Sequence, residues 1–187
     1  MYLASQIINL VGMVFGFTAF QCKKHWQIMV FKVIHEFITS IHYILLGAYT
    51  GAVMNLISCF RNSLFAVWVK KGKKTTGLII VFSVIFIVLG ALVWEGPKSI
   101  FVIVAKVLTC VAYGCKDTPT VRKLSLITNS GWFVYNVIIF YVTGFICDGC
   151  MLLSVITGII RHDLIPAMQK KRAQKQAQTT LVSKEQE

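Results

Sequence analysis

The chain has 187 residues, 56% of them hydrophobic and 14% charged, with a mean hydropathy of +0.71 and a formal net charge of +12. Soluble domains carry charge at about a quarter of their positions, so this composition excludes an ordinary soluble fold and implies a protein embedded in a lipid bilayer. No room remains for a separate soluble domain, and six cysteines lying in or beside apolar runs do not make a disulfide framework.

Seven apolar runs follow one another, at 2–20, 26–48, 49–69, 75–94, 97–113, 124–142 and 144–160. Strands of a membrane barrel alternate apolar and polar residues, and these runs do not, so each is expected to be a helix. The N-terminal Met1-Tyr2-Leu3-Ala4-Ser5-Gln6 lacks the basic n-region of a signal peptide, so the first run is expected to be kept as a span. Run 1 carries Ser5, Asn9, Gly12 and Gly16 on one side; the GxxxG spacing of Gly12 and Gly16 marks either a close packing face or a chance pattern. A basic loop, Cys22-Lys23-Lys24-His25, leads to run 2.

Run 2 holds Lys32, His35, Glu36, Thr39, His42 and Tyr43. Steps of three and four put all six on one helix face. A charge at the bilayer centre costs about 2.5–3.5 kcal/mol on insertion scales, so that face must look into protein or water. After the uncharged turn of Gly47 and Gly51, run 3 brings Asn55, Ser58, Arg61 and Asn62, and Lys70-Lys71-Gly72-Lys73-Lys74 closes the first half. Run 4 is nearly pure Ile, Val, Leu and Phe and reads as a lipid-facing linker. Glu95-Gly96-Pro97-Lys98 is a helix break, with Pro97 suited to a first turn. Run 5 contains Lys106, Thr109 and Cys110, and its exit loop, 115–123, is basic overall. Cys147-Asp148-Gly149-Cys150 opens run 7, which continues through Ser154, Thr157 and Arg161. From Pro166 the chain reads as a disordered or loosely helical basic tail.

The stripe of run 2 recurs 93 residues later in run 6, as Ser125, Thr128, Asn129, Trp132, Tyr135 and Asn136. The same shift pairs Val11 with Val104, Ala19 with Ala112, Cys22 with Cys115, Lys23 with Lys116, Thr50 with Thr143 and Gly51 with Gly144, without a gap from Ile7 to Gly51. This predicts an internal repeat: a first triple of helices in 1–74, a linker helix in 75–94, a second triple in 95–165 and a tail in 166–187. If the loops alternate sides, fifteen Lys and Arg residues fall on one side and Lys98 alone on the other. The positive-inside rule then puts the N-terminus outside and the C-terminus in the cytoplasm. The basic residues are accounted for without nucleic acid; the expected partners are the bilayer and a small solute, and a homodimer is left open.

The charged groups admit more than one reading. Lys32 and Glu36 are either an i,i+4 ion pair or, with Lys32 reaching to the surface, separate groups. Arg61 is either the partner of Glu36 or an anion-binding group. Lys106 sits near the middle of its run with no acidic neighbour in sequence. His35 and His42 lie seven residues apart, too far for one metal ion, and no metal or cofactor is expected. Cys147 and Cys150 form a C-x-x-C without a second pair, open to a local disulfide or a thiol role. No catalytic motif is present, and an enzyme is not expected.

Two segments resemble the YgjV family of bacterial inner membrane proteins. The first is His42 to Gly51, with Arg61 and Asn62 behind it; the second is Trp132, Tyr135 and Asn136, followed by Ser154 to Arg161. The resemblance runs to about Asp163. That family is distantly similar to the SWEET and PQ-loop transporters, which implies a plan of three, one and three helices. The sequence departs from the PQ-loop pattern: it has no Pro-Gln pair and no proline in the middle of a run.

The fold expected is therefore an all-α membrane protein of seven spanning helices, two parallel triples joined by a linker. The function expected is a small-solute transporter or facilitator with a polar site between the triples. Its binding residues would be Lys32, His35, Glu36, His42, Tyr43, Ser58, Arg61, Asn62, Lys106, Asn129, Trp132, Tyr135 and Asn136. Lys32, Arg61 and Lys106 against Glu36 give that site an excess of positive charge, which favours an anionic or zwitterionic solute. A membrane-embedded receptor or assembly partner of the same fold, and a membrane redox enzyme using the C-x-x-C thiols, are the other readings.

Overall fold

The computed structural model describes the backbone of residues 2–47, 49–94, 98–138 and 142–185. Side chains at 2–4, 50, 98–99, 135–136, 138, 142–143, 177 and 179–185 fall outside that description. All regular structure among the described residues is helical. The helices are α1 (Tyr2–Gln21), α2 (His25–Leu45), α3 (Tyr49–Lys70), α4 (Thr76–Leu92), α5 (Lys98–Gly114), α6 (Thr118–Ile138), α7 (Val142–Ile159) and α8 (Ile165–Glu185). A π-helical turn, Ile160–Leu164, joins α7 to α8. The expected break at 95–97 lies outside the described residues.

Three helical stretches are long and apolar enough to cross a membrane: His25–Leu45, Gly51–Lys70 and Gly144–Gln176. Ser5–Gln21, Thr76–Leu92 and Ile100–Gly114 are shorter apolar helices. In each, the helix satisfies the backbone polar groups that hydrocarbon would leave unpaired. Left-handed glycines end two of them: Gly47 (φ 73°) follows α2 and donates to Ile44 O at 3.0 Å, and Gly72 (φ 69°) follows α3 and donates to Val69 O at 3.0 Å. A side chain is disfavoured in that conformation, and glycine is the usual residue there.

α1, α2, α3, α5, α6 and α7 pack each on the next, and α7 returns to α1, closing a ring. α4 lies outside it against α3 and α5, with Ile80, Val81, Val84, Ile87 and Val88 exposed on its free face. One end of the ring is dense and apolar. Ala19, Ile28, Met29, Phe65, Ala112, Tyr113 and Val121 form its core. The same end gathers the short basic connections: Thr118 donates to Lys23 O at 3.3 Å, Lys116 to Gly72 O at 3.0 Å and Thr75 to Gly114 O at 2.6 Å.

Two segments differ from expectation. α6 begins at Thr118, inside the stretch expected to be a loop, because Asp117 accepts the first helical bond from Val121 N at 3.0 Å and Pro119 sits in the first turn. Arg122, expected on a basic loop, is therefore 1% exposed within the ring. The tail, expected to be disordered or loosely helical, continues α7 as a regular helix to Glu185. Its Ala, Gln, Lys and Arg content favours helix, though its polar surface gives it no face to bury.

Candidate functional site

A half-enclosed cavity of about 390 Å³ runs down the middle of the ring from the end opposite the apolar core. Six helices wall it, and α4 contributes no lining residue. Helix α2 supplies its whole stripe: Lys32, His35, Glu36, Thr39, His42 and Tyr43. Over ten residues at 1.5 Å each, that stripe descends about 15 Å from His42 near the mouth to Lys32 near the floor. Asn129 and Trp132 of α6 and Lys106 of α5 face it.

The wall keeps the 93-residue register. Eight pairs have both members on it: Asn9 and Val102, Met13 and Lys106, His35 and Thr128, Glu36 and Asn129, Thr39 and Trp132, Gly51 and Gly144, Met54 and Cys147, Asn55 and Asp148. Each charged member faces a neutral counterpart, so the two halves share geometry and differ in chemistry. The side chains of Tyr135 and Asn136, the counterparts of His42 and Tyr43, lie outside the described residues.

Both wall histidines are held from behind by α1. His35 Nδ1 lies 2.8 Å from Gly12 O, and His42 Nδ1 lies 2.8 Å from Ser5 O and 2.7 Å from Ser5 Oγ. A carbonyl only accepts, so Nδ1 carries a hydrogen in each ring. Gly12 and Gly16 allow this approach: a Cβ on Gly12 would meet Ile38 Cγ2 at 3.1 Å, and one on Gly16 would meet His35 Nδ1 at 3.0 Å. The two glycines do mark a packing face.

Lys32 is 4% exposed, and its Nζ lies 4.7 Å from the centre of the Phe20 ring, a cation–π contact. It neither reaches the surface nor pairs with Glu36: among the described residues, Arg122–Asp163 is the one ion pair within 4 Å. Lys106 Nζ donates to Asn55 Oδ1 at 3.3 Å and to Ser58 Oγ at 3.2 Å. The Glu36 carboxylate shares the wall with Lys106, His35 and Lys32.

Three expected binding residues stand behind the wall rather than on it. Ser58 supports Lys106. Arg61 is fully buried, with its guanidinium 5.3 Å from the Phe86 ring and 5.4 Å from the Tyr113 ring, and it donates to Asn62 Oδ1 at 3.1 Å and Cys110 Sγ at 3.4 Å. Asn62 is buried beside it. Arg61 is neither the ion-pair partner of Glu36 nor a wall group; its face of α3 turns toward α4 and α5. Residues not expected on the wall include Asn55, Thr109, Tyr113, Thr128 and Asp148. The 93-residue shift was the available signal for Asp148, which falls on Asn55. Cys147 and Cys150 are not bonded to each other; Asn9 Nδ2 lies 3.7 Å from Cys147 Sγ.

The floor is closed by contacts that cross between the halves. Phe20 and Tyr113, 93 residues apart, end α1 and α5 in equivalent places. His25 Nε2 of α2 lies 2.9 Å from Tyr113 O, and Arg122 Nε of α6 lies 3.3 Å from Phe20 O. Arg122 also donates to Cys22 O at 2.7 Å and to Asp163 Oδ1 of the π turn at 2.7 Å. Beside it, Gln21 Nε2 donates to Ser154 O at 2.9 Å and Thr157 Oγ1 at 2.8 Å, and His162 Nε2 lies 2.9 Å from Gln21 O.

The arrangement is a polar chamber inside a ring of apolar helices, open at one end. No cluster of three or more His, Cys, Asp or Glu able to hold a metal ion is found among the described residues. A family model described as Imp-YgjV, bacterial inner membrane protein, matches residues 3–164. No curated protein and no solved structure matches the chain.

Proposed function

This chain belongs to the YgjV family of bacterial inner membrane proteins, and from that premise we propose that it is a small-solute transporter or facilitator, with its solute site in the central cavity. The observation that carries the reading is the wall itself. Lys32, Glu36, Lys106 and Asp148 stand inside a ring whose outer faces are apolar. Burying four ionisable groups at membrane depth is costly, and such residues mark solute or ion pathways. The cavity volume is in the range of small-molecule sites. The constant register of the wall supports two parallel repeats with the site at their junction, as in transporters built from such repeats. The basic end, by the positive-inside rule, is the cytoplasmic one.

The test is a thermal-shift screen of the purified full chain in lipid nanodiscs against soluble metabolites. A solute at a hundred times its Kd stabilises by about 2.7 kcal/mol, so true ligands raise Tm and should lose that effect in Lys106→Met. A screen without any stabilising solute would count against the site.

One observation favours a second reading, a membrane-embedded receptor with the same cavity. The wall reaches one end of the ring, and the other end is filled by the apolar core. A receptor needs access from that one side only, whereas a transporter must also open at the floor.

A further inference from the structure

We propose that the solute of this cavity is a compact zwitterion, held with its anionic end toward Lys32 at the floor and its cationic end toward Asp148 and the aromatic groups at the mouth. This rests on the solute-site reading above. The wall carries two cations, Lys32 and Lys106, and two acids, Glu36 and Asp148. Its formal charge is zero, because Arg61 stands behind it and Asp148 stands on it. A neutral sum disfavours a net anion and a net cation alike, and the depths of the charges then decide the orientation.

Those depths follow from helix register. Glu36 and Lys106 both line the middle of the cavity and carry opposite formal charges, so they add nothing to its net charge. Lys32 lies one turn below Glu36 on α2, nearer the floor. On α7, Met151 meets the Gly16 position beside His35, which sets it level with the middle of α2. Asp148 is one turn nearer the mouth than Met151. The positive pole is therefore deep and the negative pole shallow, separated by one step of about 6 Å on α2 and one of about 4.5 Å on α7 along the helix axes.

Each pole has the neutral groups its proposed partner needs. Lys32 Nζ stands toward the floor, and one turn above it, at the level of Glu36, is the Asn129 amide, whose Nδ2 is a buried donor without an acceptor among the described residues. Both suit a carboxylate or another oxyanion. At the mouth, Trp132, Tyr43 and His42 line the wall with Asp148. Aromatic faces beside a carboxylate suit an ammonium group.

The test reads the polarity of the wall and the preference for solute in one system. In the full chain with five cysteines replaced by serine, the retained Cys147 reports the mouth. With Cys147 also replaced, Thr109→Cys reports the deeper wall. Two methanethiosulfonates of similar size are used, one ending in trimethylammonium and one in sulfonate. The expected ratio of cationic to anionic labelling rate is higher at Cys147 than at Thr109→Cys, by about fivefold or more at these charge separations. Asp148→Asn should lower the ratio at the mouth, and Lys32→Gln should raise it at Thr109→Cys. Millimolar pools of small amino acids should slow both labelling reactions more than matched pools of monocarboxylates or of amines. Labelling at both positions with equal or inverted ratios overturns the zwitterion assignment and leaves the cavity reading intact. Protection by carboxylates alone, by amines alone or by none of the pools also overturns it. Failure of every reagent to label either position would overturn the solute-site reading itself.

Discussion

Arg122→Ala should destabilise the ring at its closed end. The side chain is 1% exposed and meets Asp163 Oδ1 at 2.7 Å, Cys22 O at 2.7 Å and Phe20 O at 3.3 Å. Removing one member of a buried ion pair leaves the other charge uncompensated, at about 3–5 kcal/mol. Asp163 Oδ2 has no partner among the described residues, so losing Arg122 leaves the carboxylate without the bond to Oδ1 as well. The variant belongs in the upper part of that range, since two backbone carbonyls at the ends of α1 lose their donor as well. Arg122→Met combined with Asp163→Leu removes both charges and should recover about half of the loss. What stays lost is the pair of carbonyl bonds, about 1 kcal/mol each. Equilibrium unfolding of the full chain in mixed micelles, followed by helical circular dichroism, measures all three proteins. The reasoning is refuted if Arg122→Ala unfolds within about 0.5 kcal/mol of the parent, or if the double variant is no more stable than the single one.

Two glycines should respond differently to the same change. A Cβ on Gly158 would meet the Phe20 carbonyl oxygen at 2.5 Å, which is backbone, so Gly158→Ala should lower Tm clearly; a Cβ on Gly16 would run chiefly into the flexible end of Met151, so Gly16→Ala should lower it less. Equal melting temperatures for the two variants would contradict the packing of α7 on α1. A cytoplasm-specific reporter fused after Glu187 should be active and one fused after Gly96 silent, because the basic connections gather at one end; activity after Gly96 would contradict seven spans.

The stripe of α2 was legible in the sequence because a charged, hydrogen-bonding face in an apolar run has few places to go, and helical spacing names its members. The stripe of α6 was legible only by its register with α2. The same register extended to α7 leads to Asp148, which attention to the neighbouring thiols obscures. Arg61 was not legible as a supporting residue. It shares a broad polar face with Asn55, which lines the cavity, and sequence spacing does not say where that face divides between cavity and neighbouring helix. Arg122 was hidden by a helix start: at Asp117-Thr118-Pro119 the backbone bond from Val121 N to Asp117 O and the proline in the first turn begin α6 six residues before the apolar run does. The crossing of His25 onto Tyr113 O and Arg122 onto Phe20 O is tertiary, and local pattern carries no trace of it.

The central claim, a solute site that exchanges between the two sides of the membrane, is tested most directly by a single cysteine at position 129. Asn129 stands on the wall at the level of Glu36, between the mouth and the Phe20–Tyr113 floor. In a background without the native cysteines, Asn129→Cys is exposed to a membrane-impermeant thiol reagent in right-side-out vesicles and, separately, in inverted ones. The account predicts labelling from both sides, with entry through the floor slower than entry through the mouth. Labelling from the mouth side alone would contradict transport and leave a receptor, and no labelling from either side would mean that the chamber is not open to water.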